Sequence, residues 1–345
     1  MLNISPLHNY SLKQSGLSLI ELMISIAIGL LLLAALSTLF VNQSRTRTEL
    51  DKQNRMIDNG RYALDLISEN LRMAGFYGEL DPSSITLPAA LPDPCVSNIV
   101  EPPIAPANSV LRLHIQGYDA ATPTTAITDT PTCVPSSIKA GTDILVVRRA
   151  HTTSIAPASI AANTTYLQVS LCIPKTGLNE NAYILRKAPA TFNLSQKTCT
   201  IANSGPQANL RRFLVQLYFI DSNNEAGDGI PTLKMAELDT TSNFVVTPLV
   251  EGIEFMQVDY GIDTNDDGAP DGAYSSCSAC TVEDWANVVS VKVNIVSRNL
   301  ETTTGYTDGN TYNLGTAGNI TPGGNYKRHA YTEVIRLNNP ASRKE

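Results

Sequence analysis

Charge is scarce in this chain of 345 residues: Asp, Glu, Lys and Arg make up 17%, against about 25% in an average soluble protein. Thr, Asn, Ser and Pro fill the gap, a composition suited to strands and turns rather than to a long charged helical bundle. Basic residues are in deficit, 25 against 32 acidic, for a formal net charge of −7. That speaks against a basic nucleic-acid footprint, and no direct nucleic-acid partner is expected. Histidine is rarer still: His8, His114, His151 and His329 lie in no metal-ligand spacing. The signatures G-x-S-x-G, H-E-x-x-H and the Walker A loop are missing, so no enzyme activity is expected. The only Trp, Trp285, precedes an apolar strand and reads as a core residue. Proline is absent between Pro6 and Pro82, so nothing there need break a helix.

What is present is an abrupt apolar run. Met1 to Gly16 is polar with one charge, Lys13, and Leu17 to Val41 is apolar apart from Glu21 and a few hydroxyls. Leu22 to Val41 is 20 residues without a charge, about the length that spans a hydrocarbon core. Three readings fit such a run. It is a plain membrane anchor, a secretory signal peptide cut near Ala35-Leu36-Ser37, or a segment whose leader is cut before the apolar stretch. Glu21 weighs against the second, because a carboxylate breaks the apolar core of a signal peptide. It is also explained as an acid in the first turn of a helix, where the macrodipole favours it.

From Asn42 to Ala74 there is no Pro and one Gly, Gly60. Leu50, Ile57, Leu64 and Leu71 recur every seven residues, with Ile67 and Ala74 on the same face and charges around the rest. This predicts an amphipathic helix continuous with the apolar one, ended by Gly75. Helix over 17–74 would be 58 residues, about 87 Å at 1.5 Å per residue.

Gly16-Leu17-Ser18-Leu19-Ile20-Glu21 resembles the class III leader junction of type IV prepilins. Asn59 to Gly78 resembles the signature of PilW-type minor pilins, as do Gly141 to Arg149, Asp228 to Leu233, Trp285 to Val293 and Tyr331 to Asn338. The resemblance implies cleavage after Gly16 by the prepilin peptidase, N-methylation of Leu17, and an assembly role for Glu21. It implies an inner-membrane, single-pass protein of a Gram-negative bacterium, with its C-terminal domain in the periplasm and at the pilus tip. Its partners would be other minor pilins and the major pilin, with a tip adhesin as a further candidate. Three features depart from the family pattern. Position 17 is Leu where most pilins carry Phe, the membrane helix lacks the Pro usual in major pilins, and Arg45, Arg47, Lys52 and Arg55 outnumber Lys13 across the span. Charge counting alone would place the N-terminus outside; the leader motif places it inside.

Beyond Gly78 the pattern turns to strands. Residues 79–109 are Pro-rich and read as an irregular loop. Strands are expected over Val110–Ile115, Ile144–Arg149, Thr165–Leu171, Tyr183–Lys187, Arg212–Ile220, Thr232–Glu237, Ile253–Ile262, Val288–Ser297 and His329–Leu337. Residues 301–328 read as a mobile insertion. The expected fold is α+β and pilin-like, with a long N-terminal helix packed on an antiparallel β-sheet domain carrying loop insertions. The expected division is leader 1–16, transmembrane helix 17–41, periplasmic amphipathic half 42–75 and globular β-rich domain 76–345.

Six cysteines suit an oxidising compartment. Proximity pairs Cys95 with Cys133, Cys172 with Cys199 and Cys277 with Cys280, one of about 15 connectivities. Cys277 and Cys280 have a redox-like spacing, but a Ser- and Asp-rich context suited to a structural clip. Asp263, Asn265, Asp267, Gly268 and Asp271 match the start of a calcium loop, D-x-N-x-D-G, with Asp271 ninth. The twelfth position is Tyr274, where an EF-hand has Glu, so the alternatives are a partial Ca²⁺ site, completed by Glu283 or Asp284, and a polar hairpin turn. Asp221 to Gly229 is a weaker echo that reads as a turn. No other cofactor is expected.

The resulting function is a minor pilin that primes or supports assembly at the filament tip. The alternatives are a J-like minor pseudopilin of a type II secretion system, a membrane-anchored periplasmic binding protein, and a tip adhesin. Mass spectrometry of the N-terminus of protein from its native membrane should find methylated Leu17. An intact Met1 would instead mean a plain anchor, and a start near Thr38 an ordinary exported protein.

Overall fold

The computed structural model describes residues 16, 18–101, 110–172, 181–197, 206–240 and 243–344. Ser18 starts the first helix: its carbonyl accepts the Leu22 N–H at 3.1 Å and its Oγ the Glu21 N–H at 3.4 Å, satisfying one of the orphan amides of a helix start. Helix α1 then runs unbroken over Leu19–Arg72. Gly75 follows at φ +70°, and its N–H donates to the Arg148 carbonyl at 3.0 Å.

The chain divides into two compact units between Asp51 and Lys52. In the first, α1 carries no charge over Leu22–Val41, and Leu19, Ile24, Leu31 and Phe40 are exposed. An 18-residue window of it reaches a mean hydropathy of 2.6, long and apolar enough to cross a membrane.

In the second unit α1 buries a stripe: Met56, Gly60, Ala63, Leu64, Ile67 and Leu71. The seven-residue spacing is only partly obeyed, since Leu50 is 54% exposed. The helix turns every 3.6 residues, so a straight stripe drifts off a seven-residue repeat. Gly60 matters by its size. A Cβ there would collide with the Tyr331 ring, whose Oη donates to the Ile57 carbonyl at 3.2 Å.

Among the described residues thirteen strands form three sheets, all antiparallel. The largest holds β1 (Val100–Glu101), β2 (Ile115–Tyr118), β3 (Ile144–Ile155), β4 (Thr165–Val169), β5 (Tyr183–Lys187), β6 (Leu210–Asp221), β7 (Thr232–Leu238) and β8 (Phe244–Glu251). Its order is β1-β5-β4-β6-β3-β2, with β7 joined to β6 and β8 to β7. The second sheet is β13 (Arg328–Arg336), β10 (Val288–Arg298) and β9 (Ile253–Ile262), and β11 (Tyr312–Asn313) pairs with β12 (Asn319–Ile320). Two short helices, α2 (Val282–Ala286) and α3 (Asn338–Ser342), complete the chain.

Most expected strands are present, with several differences, among them the short β1 inside the expected loop 79–109 and the extension of β3 to Ile155. The stretch from Val110 turns before it extends, with the Leu113 N–H on the Val110 carbonyl at 3.1 Å, so the strand begins at Ile115. Strand β8 was not expected; it is an edge strand, which tolerates Pro248. Residues 301–328 are packed rather than a free insertion. Asp308 and Arg328 form a buried ion pair at 2.8 Å, Leu314 is buried, and the Thr316 N–H donates to Asp259 at 3.2 Å. Gly315, at φ +67°, permits that approach, because a Cβ would strike Asp259 and Asn294.

The core follows the alternation of β3. Leu145 and Val147 face one cluster with the α1 stripe, β9 and β10, whereas Ile144, Val146 and Ala150 face another with β6. Trp285 is buried in the first, edge-on to Tyr260 at 4.7 Å between centroids.

Asp143, just before β3, stitches the sheets together. Its N–H donates to the Met256 carbonyl at 2.9 Å, its Oδ1 accepts from Ala120 at 2.9 Å, and its Oδ2 accepts from Val258 at 2.8 Å. Burial nevertheless pushes this carboxyl up to about 8, against the pull of those two amides. A raised folded pKa means that the folded chain holds the proton where the unfolded chain has lost it, from about pH 4 upward. Asp143 should therefore cost stability progressively as pH rises from about 4 to 8. Denaturant midpoints of the full chain across that range should fall, and Asp143→Asn should flatten the slope even though it lowers the plateau. An equal slope in the variant would assign the dependence elsewhere.

Candidate functional site

At the N-terminus, Gly16 is exposed, Leu17 lies outside the described residues, and Glu21 is exposed in the first turn of α1. Glu21 is third in the helix, with its own N–H on Ser18 Oγ and its carbonyl accepting from Ser25 Oγ at 2.7 Å. Ser18 is a residue that the motif reading passed over, although S-x-x-E is a legible helix-start pattern. A carboxylate in the first turn is favoured by the helix macrodipole, while a charge left alone in an apolar medium is costly.

Among the cysteines, Cys95 is bonded to Cys133 and Cys277 to Cys280. Cys172 is disulfide-bonded, and Cys199 lies outside the described residues. Cys277 packs in the first core cluster with Trp285 and is 7% exposed, so the pair clips the loop ahead of α2 to the core. That loop enters α2 through a capping box between Thr281 and Asp284, which occupies Asp284.

The calcium-like segment leaves β9 as a tight turn. Asp263 is fully buried: its Oδ1 accepts from Asn265 at 3.1 Å and Asp266 at 2.7 Å, and its Oδ2 from Gly268 at 2.9 Å. Asp267 Oδ1 accepts from Ala269, and Asp271 Oδ2 from the amide and hydroxyl of Thr264. Asn265 turns its Nδ2 toward the carboxylates of Asp267 and Asp271, at 3.2 Å from each, while its Oδ1 accepts the Asp267 amide at 3.0 Å. Lys344 supplies a positive charge, 2.8 Å from Asp266 and 3.6 Å from Asp263. Burial raises the Asp263 pKa, but the Gly268 amide, Lys344 and the other amides outweigh it and hold the carboxyl below its usual range. Among the described residues no group of three or more His, Cys, Asp or Glu side chains is placed to hold a metal ion.

The weaker echo repeats this plan. Asp221 ends β6 almost buried, accepts from the Asn223 amide at 3.1 Å, and pairs with Lys234 at 3.0 Å. Asp228 closes the turn by accepting from Asn224, Glu225 and Ile230. Both segments thus place an aspartate at a strand end, on following amides, with a lysine beside it. The lysines, from β7 and from beyond α3, are the part that local spacing could not reveal.

Residues 217–339 match the family described as type IV pilus-assembly protein W. Residues 11–37 match the prokaryotic N-terminal methylation motif. The first match runs from β6 through β13 and the second covers the Gly16 junction and the start of α1; together they span fewer than half of the residues. No curated protein and no solved structure matches the chain.

Of the two readings of Asp263, Asn265, Asp267 and Asp271, a Ca²⁺ site and a polar turn, we propose the turn, and the test is direct. With the amides and Lys344 already on these carboxylates, the melting temperature of the full chain should be the same in EDTA and in millimolar calcium. A calcium-dependent rise that is lost in Asp267→Asn would show instead that the ion displaces these contacts.

Proposed function

Since the chain is a PilW-like type IV pilin with an N-terminal membrane helix, we propose that it serves as a minor pilin, priming or supporting filament assembly at the tip. The leader motif implies processing by the prepilin peptidase and membership of a pilus system, and pilin families are structural rather than enzymatic. The finer reading adds cleavage after Gly16, a methylated ammonium at Leu17, a single pass through the inner membrane, and a periplasmic domain that meets other minor pilins, the major pilin and a tip adhesin.

The observation that carries this reading is Glu21, exposed on a helix surface that is otherwise apolar. A carboxylate at the centre of a bilayer costs about 2.5–3.5 kcal/mol, less near its edge. In the proposal, Glu21 of one subunit receives the α-ammonium of its neighbour, and two unfavourable charges become one tolerable pair. Because the pair forms at one axial offset, it sets the register between neighbouring helices. The globular domain is supported as the part that gives the subunit its identity, since the PilW match lies wholly within it.

Glu21→Ala should yield a cleaved, folded, membrane-bound protein that fails to support piliation. Normal pilus numbers in that variant would defeat the register argument. Intact pili with lost secretion would move the chain to a type II secretion system.

A further inference from the structure

Arg148 occupies an apolar row. On its face of β3 the other members are Ile144, Val146 and Ala150, all in the second core cluster, and Arg148 itself is 1% exposed. Its Nη1 donates to the Leu113 carbonyl at 3.0 Å and its Nη2 to Gln116 Oε1 at 2.7 Å. Both acceptors are neutral, so dipoles rather than a bonded carboxylate solvate this charge. A buried cation without an anion is costly. Burial pushes its pKa down only to about 10, so it is charged at neutral pH.

The same arginine lines a cavity of about 530 Å³ whose walls include Leu91, Val96, Ile99, Val110 and Val215. Val215 is its cross-strand partner in the β3–β6 ladder, so the floor is sheet. The outer wall is the loop before β1, and three ties fix it. Asp93 Oδ1 accepts the Cys95 N–H at 2.9 Å, Cys95 is bonded to Cys133, and β1 pairs with β5. The cavity is therefore preformed, and its volume falls in the range of about 300–1,000 Å³ typical of small-molecule sites.

We propose that this cavity binds a small carboxylate carried on an apolar body, with Arg148 as its anion partner and the aliphatic walls holding the body. The site is independent of the pilus role. Among its described lining residues the ionisable groups are Arg148 and Asp93, with no Ser, Cys or His between them, and the role proposed is binding. Asp93 stands exposed on the wall and acts on Arg148 through its charge. It competes with an incoming anion, and removing its charge should tighten binding.

The test uses the full chain in phospholipid nanodiscs, titrated with 4-phenylbutyrate and with 4-phenylbutanol as the uncharged control. The acid should bind at least about tenfold more tightly than the alcohol, the ratio expected of one charge-assisted hydrogen bond. Asp93→Asn should tighten the acid alone, and Arg148→Met should bring the acid to the level of the alcohol. If Arg148→Met does not fold, Val96→Trp, at an exposed wall position, should fill the cavity and abolish binding of both probes. Equal affinity for acid and alcohol, or an acid affinity indifferent to Asp93→Asn, would overturn the anion role. Absence of binding by either probe would overturn the site.

Discussion

One helix has to satisfy two surroundings, and the rest of the structure answers to that constraint. Up to Val41, α1 presents apolar side chains in every direction, as a helix in lipid must, because no face is next to water. From Met56 onward only a stripe is apolar, since one side meets protein and the other solvent. Nothing in the backbone marks the change: the hydrogen-bond ladder continues to Arg72, and only the side-chain pattern differs. Small residues within the stripe, Gly60 and Ala63, let β13 approach until the Tyr331 hydroxyl reaches the helix backbone. The second sheet is thereby pinned to the helix.

Much of this was legible in the sequence, and for specific reasons. The absence of Pro between Pro6 and Pro82 and the apolar run made α1 readable almost to its last residue. Tyr183–Lys187 and Ile253–Ile262 were legible to the residue because turn residues bound them on both sides. Leu50 misled because a heptad was imposed on a straight helix, and β8 was missed because Pro248 argues against a central strand but not an edge one. The packing of 301–328 was hidden for a different reason. Asp308 finds Arg328, and Thr316 finds Asp259, across gaps in sequence that no local pattern spans. The same holds for Lys344 beside Asp263. D-x-N-x-D-G can be read locally, whereas what stands opposite its carboxylates depends on where the C-terminal end of the chain returns.

Buried polar groups do much of the joining between elements. Asp143 bridges the two sheets through one donor and two acceptors. Asn70, on the helix, donates to Tyr218 and accepts from Arg149. Such contacts are directional where apolar packing is not, and they fix register among strands that hydrophobic burial alone would let slide. The cost is a core whose stability depends on protonation.

Pro248 has a consequence for life in a crowded assembly. Strand β8 is one edge of the largest sheet, and edges of that kind recruit foreign strands. A residue with no N–H, in mid-strand, removes a rung that an incoming strand would need. Copies that meet at high local density then find one rung missing where their sheets would otherwise zip into one another. At this edge the proline obstructs the amyloid-like route that crowding would otherwise favour.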